Sequence, residues 1–260
     1  MNQTATSTLT DTSAAVLAQR DERGVLTLTM NRPGSFNALS EEMLEALQTE
    51  LDKAAQDSGL RAVVLAAAGK AFCPGHDLKQ MVSQPELAYY QKLFAQCSRM
   101  MLTIRKLSVP VIARVQGMAT AAGCQLVAQC DLAVSVDTAR FATSGIHYGL
   151  FCATPAVPLS RNIGTKQAME MLLTGDFISA QEALARGLVN RVVPAAELDA
   201  AVESLVKSIV QKPHTAIAMG KAMFYQQAEI GIEAAYQLAG QTMACNMRDP
   251  AAQEGFLAFT

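Results

Sequence analysis

Hydrophobic and polar positions recur along this chain in two rhythms. Residues 14–19 and Val25–Met30 read as strands, and the charged turn Asp21-Glu22-Arg23-Gly24 between them predicts a hairpin. Ser40 is a good N-cap, followed by Glu41 and Glu42, where a helix dipole favours acids. Met43, Leu44, Leu47, Leu51, Ala54 and Ala55 then repeat at helical spacing, and Gly59 ends the run. Ala62–Ala67 is an apolar stretch of strand length. Residues 86–106 read as helix, Val111–Val115 as strand, 121–130 as a helix of small residues and Leu132–Val136 as strand. This alternation predicts a mostly parallel α/β core with right-handed crossovers. Beyond residue 194 the pattern is helical only, over 195–211, the stretch after Pro213, 232–247 and Pro250–Phe259. The expected organisation is a flexible segment at 1–13, a core at 14–194 and a helical region at 195–260.

Composition narrows the class. The 260 residues are half apolar and only 17% charged, which excludes a disordered chain. Twenty-one basic side chains against 23 acidic ones give a net charge of −2, which argues against a nucleic-acid partner. The uncharged stretches 115–130 and 141–160 carry glutamines, prolines and hydroxyls, so they predict buried interior rather than a membrane span. Six scattered cysteines without a CxxC pair predict free thiols, no metal and a cytoplasmic setting. Residues 1–13 lack the basic and apolar regions of a secretory signal.

No dinucleotide fingerprint, P-loop, zinc motif or GxSxG elbow is present. Two segments carry candidate chemistry instead. In 69–79, Pro74-Gly75 forces a tight turn that exposes the N–H of His76. In 117–126, small residues run from a strand into a helix start, where the first N–H groups have no internal partners. Two such N–H groups, one per loop, can grip a carbonyl oxygen that develops negative charge; the alternative is tight turns and close helix packing alone.

Asn31-Arg32-Pro33, Asn37-Ala38-Leu39, the Pro-Gly-His-Asp-Leu-Lys turn, Pro110-Val111-Ile112-Ala113, Cys130-Asp131, and Leu173-Thr174-Gly175-Asp176 with Ile178-Ser179-Ala180-Gln181-Glu182-Ala183 resemble the enoyl-CoA hydratase/isomerase (crotonase) superfamily. Gly187-Leu188-Val189-Asn190 and Val192-Val193-Pro194 extend the match, which runs over about 25–260 in the family's order. The resemblance implies a ClpP/crotonase-like spiral of β-β-α units, a C-terminal helical region that forms trimers, often paired as hexamers, and a role in fatty-acid metabolism. It implies an acyl-CoA thioester ligand with no separate cofactor, CoA entering as part of the substrate. By position, the backbone N–H groups of His76 and Ala122 would form the oxyanion hole. Arg32, Ala38, His76, Asp77, Leu78, Lys79 and Gly123 would line the CoA site.

The same positions depart from a hydratase. The family's two catalytic glutamates fall at Gln125 and Gly145, and a third carboxylate position, used by some isomerases, falls at Ala153. Glutamine cannot take a proton at neutral pH, and losing an essential general base costs about 10²–10⁴ in rate. The expectation is therefore weak hydration, with the double variant Gln125→Glu, Gly145→Glu restoring some. His76 and His147 are the candidate side chains for proton transfer or orientation. A decarboxylase-type lyase, which needs no base, and a non-catalytic CoA-thioester binder remain the alternative readings. A Ser–His–acid peptidase site gains nothing from Ser144 and His147, which lie only three positions apart.

Overall fold

The computed structural model describes residues 13–259. The first hairpin pairs β1 (Val16–Arg20) with β2 (Val25–Met30), and α1 (Glu41–Gln56) returns the chain to β3 (Ala62–Ala67). Ser40 caps α1 by accepting from the Met43 N–H at 3.2 Å. Its apolar stripe, Met43, Leu44, Leu47 and Leu51, is buried as the spacing predicts. A short β4 (Ala71–Cys73), α2 (Leu78–Ser83) and α3 (Leu87–Lys106) lead to β5 (Val111–Val115). A second short strand, β6 (Met118–Thr120), enters α4 (Ala122–Gln129), followed by β7 (Leu132–Val136) and β8 (Arg140–Ala142).

The chain then makes α5 (Ala153–Asn162), α6 (Thr165–Thr174), β9 (Ile178–Ser179), α7 (Ala180–Arg186) and β10 (Arg191–Val193). The long strands form one sheet in the order β1-β2-β3-β5-β7-β10, parallel except for the opening hairpin, and the short ones form a second sheet in the order β4-β6-β8-β9. All six residues of β3 are buried, as expected for a parallel strand with both faces covered. The second sheet matters most for the site, because β4 and β6 pair in parallel and end beside each other, each feeding one of the two candidate loops.

After β10 the described chain is helical: α8 (Leu198–Val210), α9 (His214–Gln227), α10 (Ile232–Asn246) and α11 (Pro250–Phe259). Helix α8 packs on the sheet through Leu198, Val202 and Val206. The last three helices differ, since α9 and α11 bury no residue and α10 only Ala235. Their main anchor is polar. Lys221 of α9 reaches Asp131 at 2.7 Å and the carbonyls of Ile104 and Val109, while the Tyr225 hydroxyl donates to the other Asp131 oxygen at 2.7 Å. Asp131 also accepts the Val111 N–H at 2.7 Å.

Two expectations need correction or restriction. Stretch 141–160 is not uniformly interior: Tyr148, Leu150, Phe151 and Val157 are exposed, because the chain there forms a surface turn and the outer face of α5. The expected flexible segment 1–13 lies, apart from Ser13, outside the described residues. All six cysteines are free, five buried and Cys245 exposed. No helix among the described residues is long and apolar enough to cross a membrane.

Candidate active site

The two loops meet through their backbones. In the first, Gly75 adopts φ +106°, a conformation open to glycine, and its carbonyl accepts the Leu39 N–H at 2.8 Å. In a trans peptide the C=O and the following N–H point to opposite sides, so the His76 N–H faces away from Leu39. In the second loop, Ala121 is held at φ 47° and ψ −120°, a strained setting for alanine, and its N–H donates to the Ala142 carbonyl at 2.9 Å. Ala122 opens α4, so its N–H has no intrahelical acceptor.

Two contacts fix the spacing of these loops. A Cβ built on Gly75 would lie 3.0 Å from the Ala121 Cβ and 3.2 Å from the Ala122 nitrogen, and one on Gly123 would lie 2.0 Å from the Cys73 carbonyl oxygen. Thr120 Oγ1 adds a hydrogen bond to the Pro74 carbonyl at 2.8 Å. The structure thus places the turn before His76 directly against the start of α4.

Side chains around this junction are short of partners. His76 Nδ1 lies 3.3 Å from the Leu39 carbonyl oxygen, its ring stands edge-on to Phe94 at 5.5 Å, and its Nε2 is buried with no hydrogen-bond partner. Burial pulls this imidazole below the ordinary histidine value, against a smaller upward pull from the Leu39 carbonyl. Gln125, in the second turn of α4, is only 4% exposed, and its Oε1 is likewise buried without a donor. Burial pushes the Cys73 and Cys124 thiols up to about 12 and raises that of Cys152, so these groups stay protonated near neutrality.

The remaining candidates sit less centrally. His147 is exposed, in the turn before Gly149, and its Nε2 lies 3.1 Å from the Gly175 carbonyl oxygen. At Gly145 a Cβ would come within 2.6 Å of the Leu150 carbonyl oxygen and 2.8 Å of Cys152 Sγ. That crowding overturns the double-variant expectation, since a glutamate at 145 has no room without moving backbone. Ala153 begins α5.

Among the residues expected to line a CoA site, Ala38 precedes Leu39, whose bridge to His76 ties this turn to the first loop. Asp77 caps α2, its Oδ1 accepting from the N–H groups of Lys79 and Gln80. Leu78 and Lys79 are exposed. Arg32 is committed elsewhere: its guanidinium holds Glu42 at 2.6 Å and the carbonyls of Ser13 and Asn31. Sequence reasoning missed Phe94 and the role of Leu39 in holding both Gly75 and the His76 ring. Those contacts join residues 18 to 37 positions apart and leave no local signal.

A family model described as enoyl-CoA hydratase/isomerase matches residues 20–260. This chain belongs to that family. Its structure has the α/β crotonase fold, with a mixed-sheet core and a C-terminal helical bundle. It is similar to a solved enoyl-CoA hydratase of Mycobacterium smegmatis at 62% identity and TM-score 0.93, covering 94% of this chain and 95% of that one. It is also similar to solved human enoyl-CoA hydratase domain-containing protein 3, at 42% identity and TM-score 0.91, covering 94% and 96%. The mouse protein of that name, called mitochondrial, is 43% identical over 92% of this chain and 80% of its own length. The cytoplasmic expectation is corrected by this comparison, because the vertebrate relatives are named mitochondrial. Free thiols do not say which compartment holds the chain.

Proposed function

We propose that this crotonase-family chain binds an acyl-CoA thioester, with the backbone N–H groups of His76 and Ala122 donating to the thioester carbonyl and stabilising an enolate. The observation that carries this reading is the close approach of the Gly75 turn to the Ala122 nitrogen, which a Cβ on Gly75 would meet at 3.2 Å. Relatives named as enoyl-CoA hydratases support the ligand class. On this reading Leu78, Lys79 and the Asp77 turn border the CoA moiety, and Gly123 is small because Cys73 lies against it. Arg32, held by Glu42, contributes little to the phosphates.

Ordinary hydration is weak on this reading, because Gln125, Gly145 and Ala153 replace the carboxylates that activate water. Enolate chemistry without a water-activating glutamate, of the isomerase or lyase type, fits the site better. The test pairs calorimetric binding of crotonyl-CoA and butyryl-CoA with the hydration rate of crotonyl-CoA. The expected result is binding by both thioesters, slow hydration by the wild type, and faster hydration by Gln125→Glu alone. Rapid hydration by the wild type would refute the assignment of the vacated positions, and absence of binding would refute the carbonyl clamp.

We also propose that the region 195–260 is an assembly region anchored to the core at 14–194 through α8, and that copies of this chain form a trimer through its last three helices. The support is apolar: Phe224, Tyr236, Met243 and Phe259 stand outward on helices that bury almost nothing within the chain, with Phe259 91% exposed.

A further inference from the structure

We propose that the imidazole of His76, through Nε2, takes up and returns the proton on the carbon beside the thioester carbonyl. This rests on the carbonyl clamp proposed above and adds to it the acid–base group that the absent carboxylates leave unsupplied.

The argument begins with the tautomer. A backbone carbonyl only accepts, so the Nδ1 that faces the Leu39 oxygen at 3.3 Å carries the ring proton. Nε2 then presents a lone pair, and this atom is buried without a donor. An unpartnered buried acceptor is costly to hold in a folded chain, and a proton taken from the ligand would offset that cost. The ring's position is fixed at both ends, by Leu39 and by the edge-on contact with Phe94. The same residue supplies a backbone N–H to the clamp, so the imidazole and the oxyanion donor spring from one Cα. The substrate carbon to be deprotonated is likewise one bond from the clamped carbonyl.

Elimination points the same way. Among the acids, histidines and thiols of the two loops, Asp77 is taken up in capping α2, and Cys73 and Cys124 are buried thiols. The other nearby candidates fail for separate reasons: Gln125 does not titrate, and His147 is exposed and lies on neither of the two loops. His76 alone joins burial at the junction to a side chain that can take up and release a proton.

The step balances within the site. The C2–H bond breaks and its proton bonds to Nε2, giving an imidazolium whose Nδ1–H stays on Leu39. The freed electron pair forms the C1–C2 double bond, and the carbonyl π pair moves to the oxygen held by the two amides. Reversal returns a proton to carbon, and return at C4 of an unsaturated chain would move the double bond.

The experiment is exchange of the C2 hydrogens of butyryl-CoA in D2O, followed by mass spectrometry, with binding measured in parallel by calorimetry. The wild type is expected to incorporate deuterium. His76→Asn and His76→Phe, which keep the backbone amide, are expected to lower exchange by about 10²–10⁴ at butyryl-CoA concentrations that saturate each variant. Exchange at the wild-type rate in either variant would overturn the proposal. Loss of binding in both variants would do the same, because it would make the ring a structural element. Binding without exchange by the wild type would overturn this inference alone, whereas no binding by the wild type would remove the clamp and this inference together.

Discussion

The core and the C-terminal helices are held by opposite means. Strand β3 and the inner faces of α1 and α3 are closed over by apolar side chains, whereas α9 to α11 bury only Ala235 and attach through a charged cluster on Asp131. Apolar burial is non-directional and stabilises in proportion to area, about 25 cal/mol per Å². A buried ion pair instead fixes one geometry and loses much of its Coulombic gain to desolvation. The helical region is thus positioned accurately on the core while its own apolar surface stays turned outward.

The strongest way to break this contrast is Asp131→Ala, which leaves the Lys221 ammonium buried without its counter-charge. The expected loss is about 3–5 kcal/mol. Hydrogen exchange should show it in α9 and α10 before β2, β3 and β5; simultaneous exposure of both regions would mean that they unfold as one unit. Burial already holds the Lys221 pKa below its ordinary 10.5, against the upward pull of Asp131. Removing that pull lowers it further, so between the depressed value and 10.5 the folded variant carries fewer protons than the unfolded chain. Its stability should therefore rise with pH across that window, which denaturant titrations at several pH values will read.

Next in size is Leu65→Ala, inside the fully buried β3, expected to cost about 2–5 kcal/mol and to lower the melting temperature of the whole molecule. Loss confined to one region would contradict a single apolar core. Ser179→Ala removes the capping box that joins Ser179 to Glu182 at the start of α7 and should cost about 1 kcal/mol by chemical denaturation. The smallest effect on the isolated chain is expected from Tyr236→Ser, within about 0.5 kcal/mol, because the side chain is 75% exposed. The same substitution should weaken the proposed trimer in sedimentation experiments; an unchanged association state would place the assembly surface elsewhere.

The parts of the fold legible in the sequence are those with enough residues to express a period. Val25–Met30, Ala62–Ala67, Val111–Val115 and Leu132–Val136 appear where the apolar runs place them, and α1 begins at the cap that Ser40 announces. The second sheet escaped notice because its strands are two or three residues long, too short for alternation to register. Helix α5 carries Pro155 and Pro158, which blur a helical pattern in the sequence although Pro155 lies in its first turn. At the candidate site, Pro74-Gly75 and the small residues 117–123 marked both loops. The unpaired Nε2 of His76 and Oε1 of Gln125 did not show, since an atom's lack of partners depends on everything folded around it.

Gly123 seated on the Cys73 carbonyl has an evolutionary corollary. Because the two turns interlock main chain to main chain, the proposed carbonyl clamp does not depend on which side chains decorate its rim. On that proposal, substitutions at 76 or 125 would retune reactivity while the clamp persists, so new reactions could arise on this scaffold without reinventing its grip.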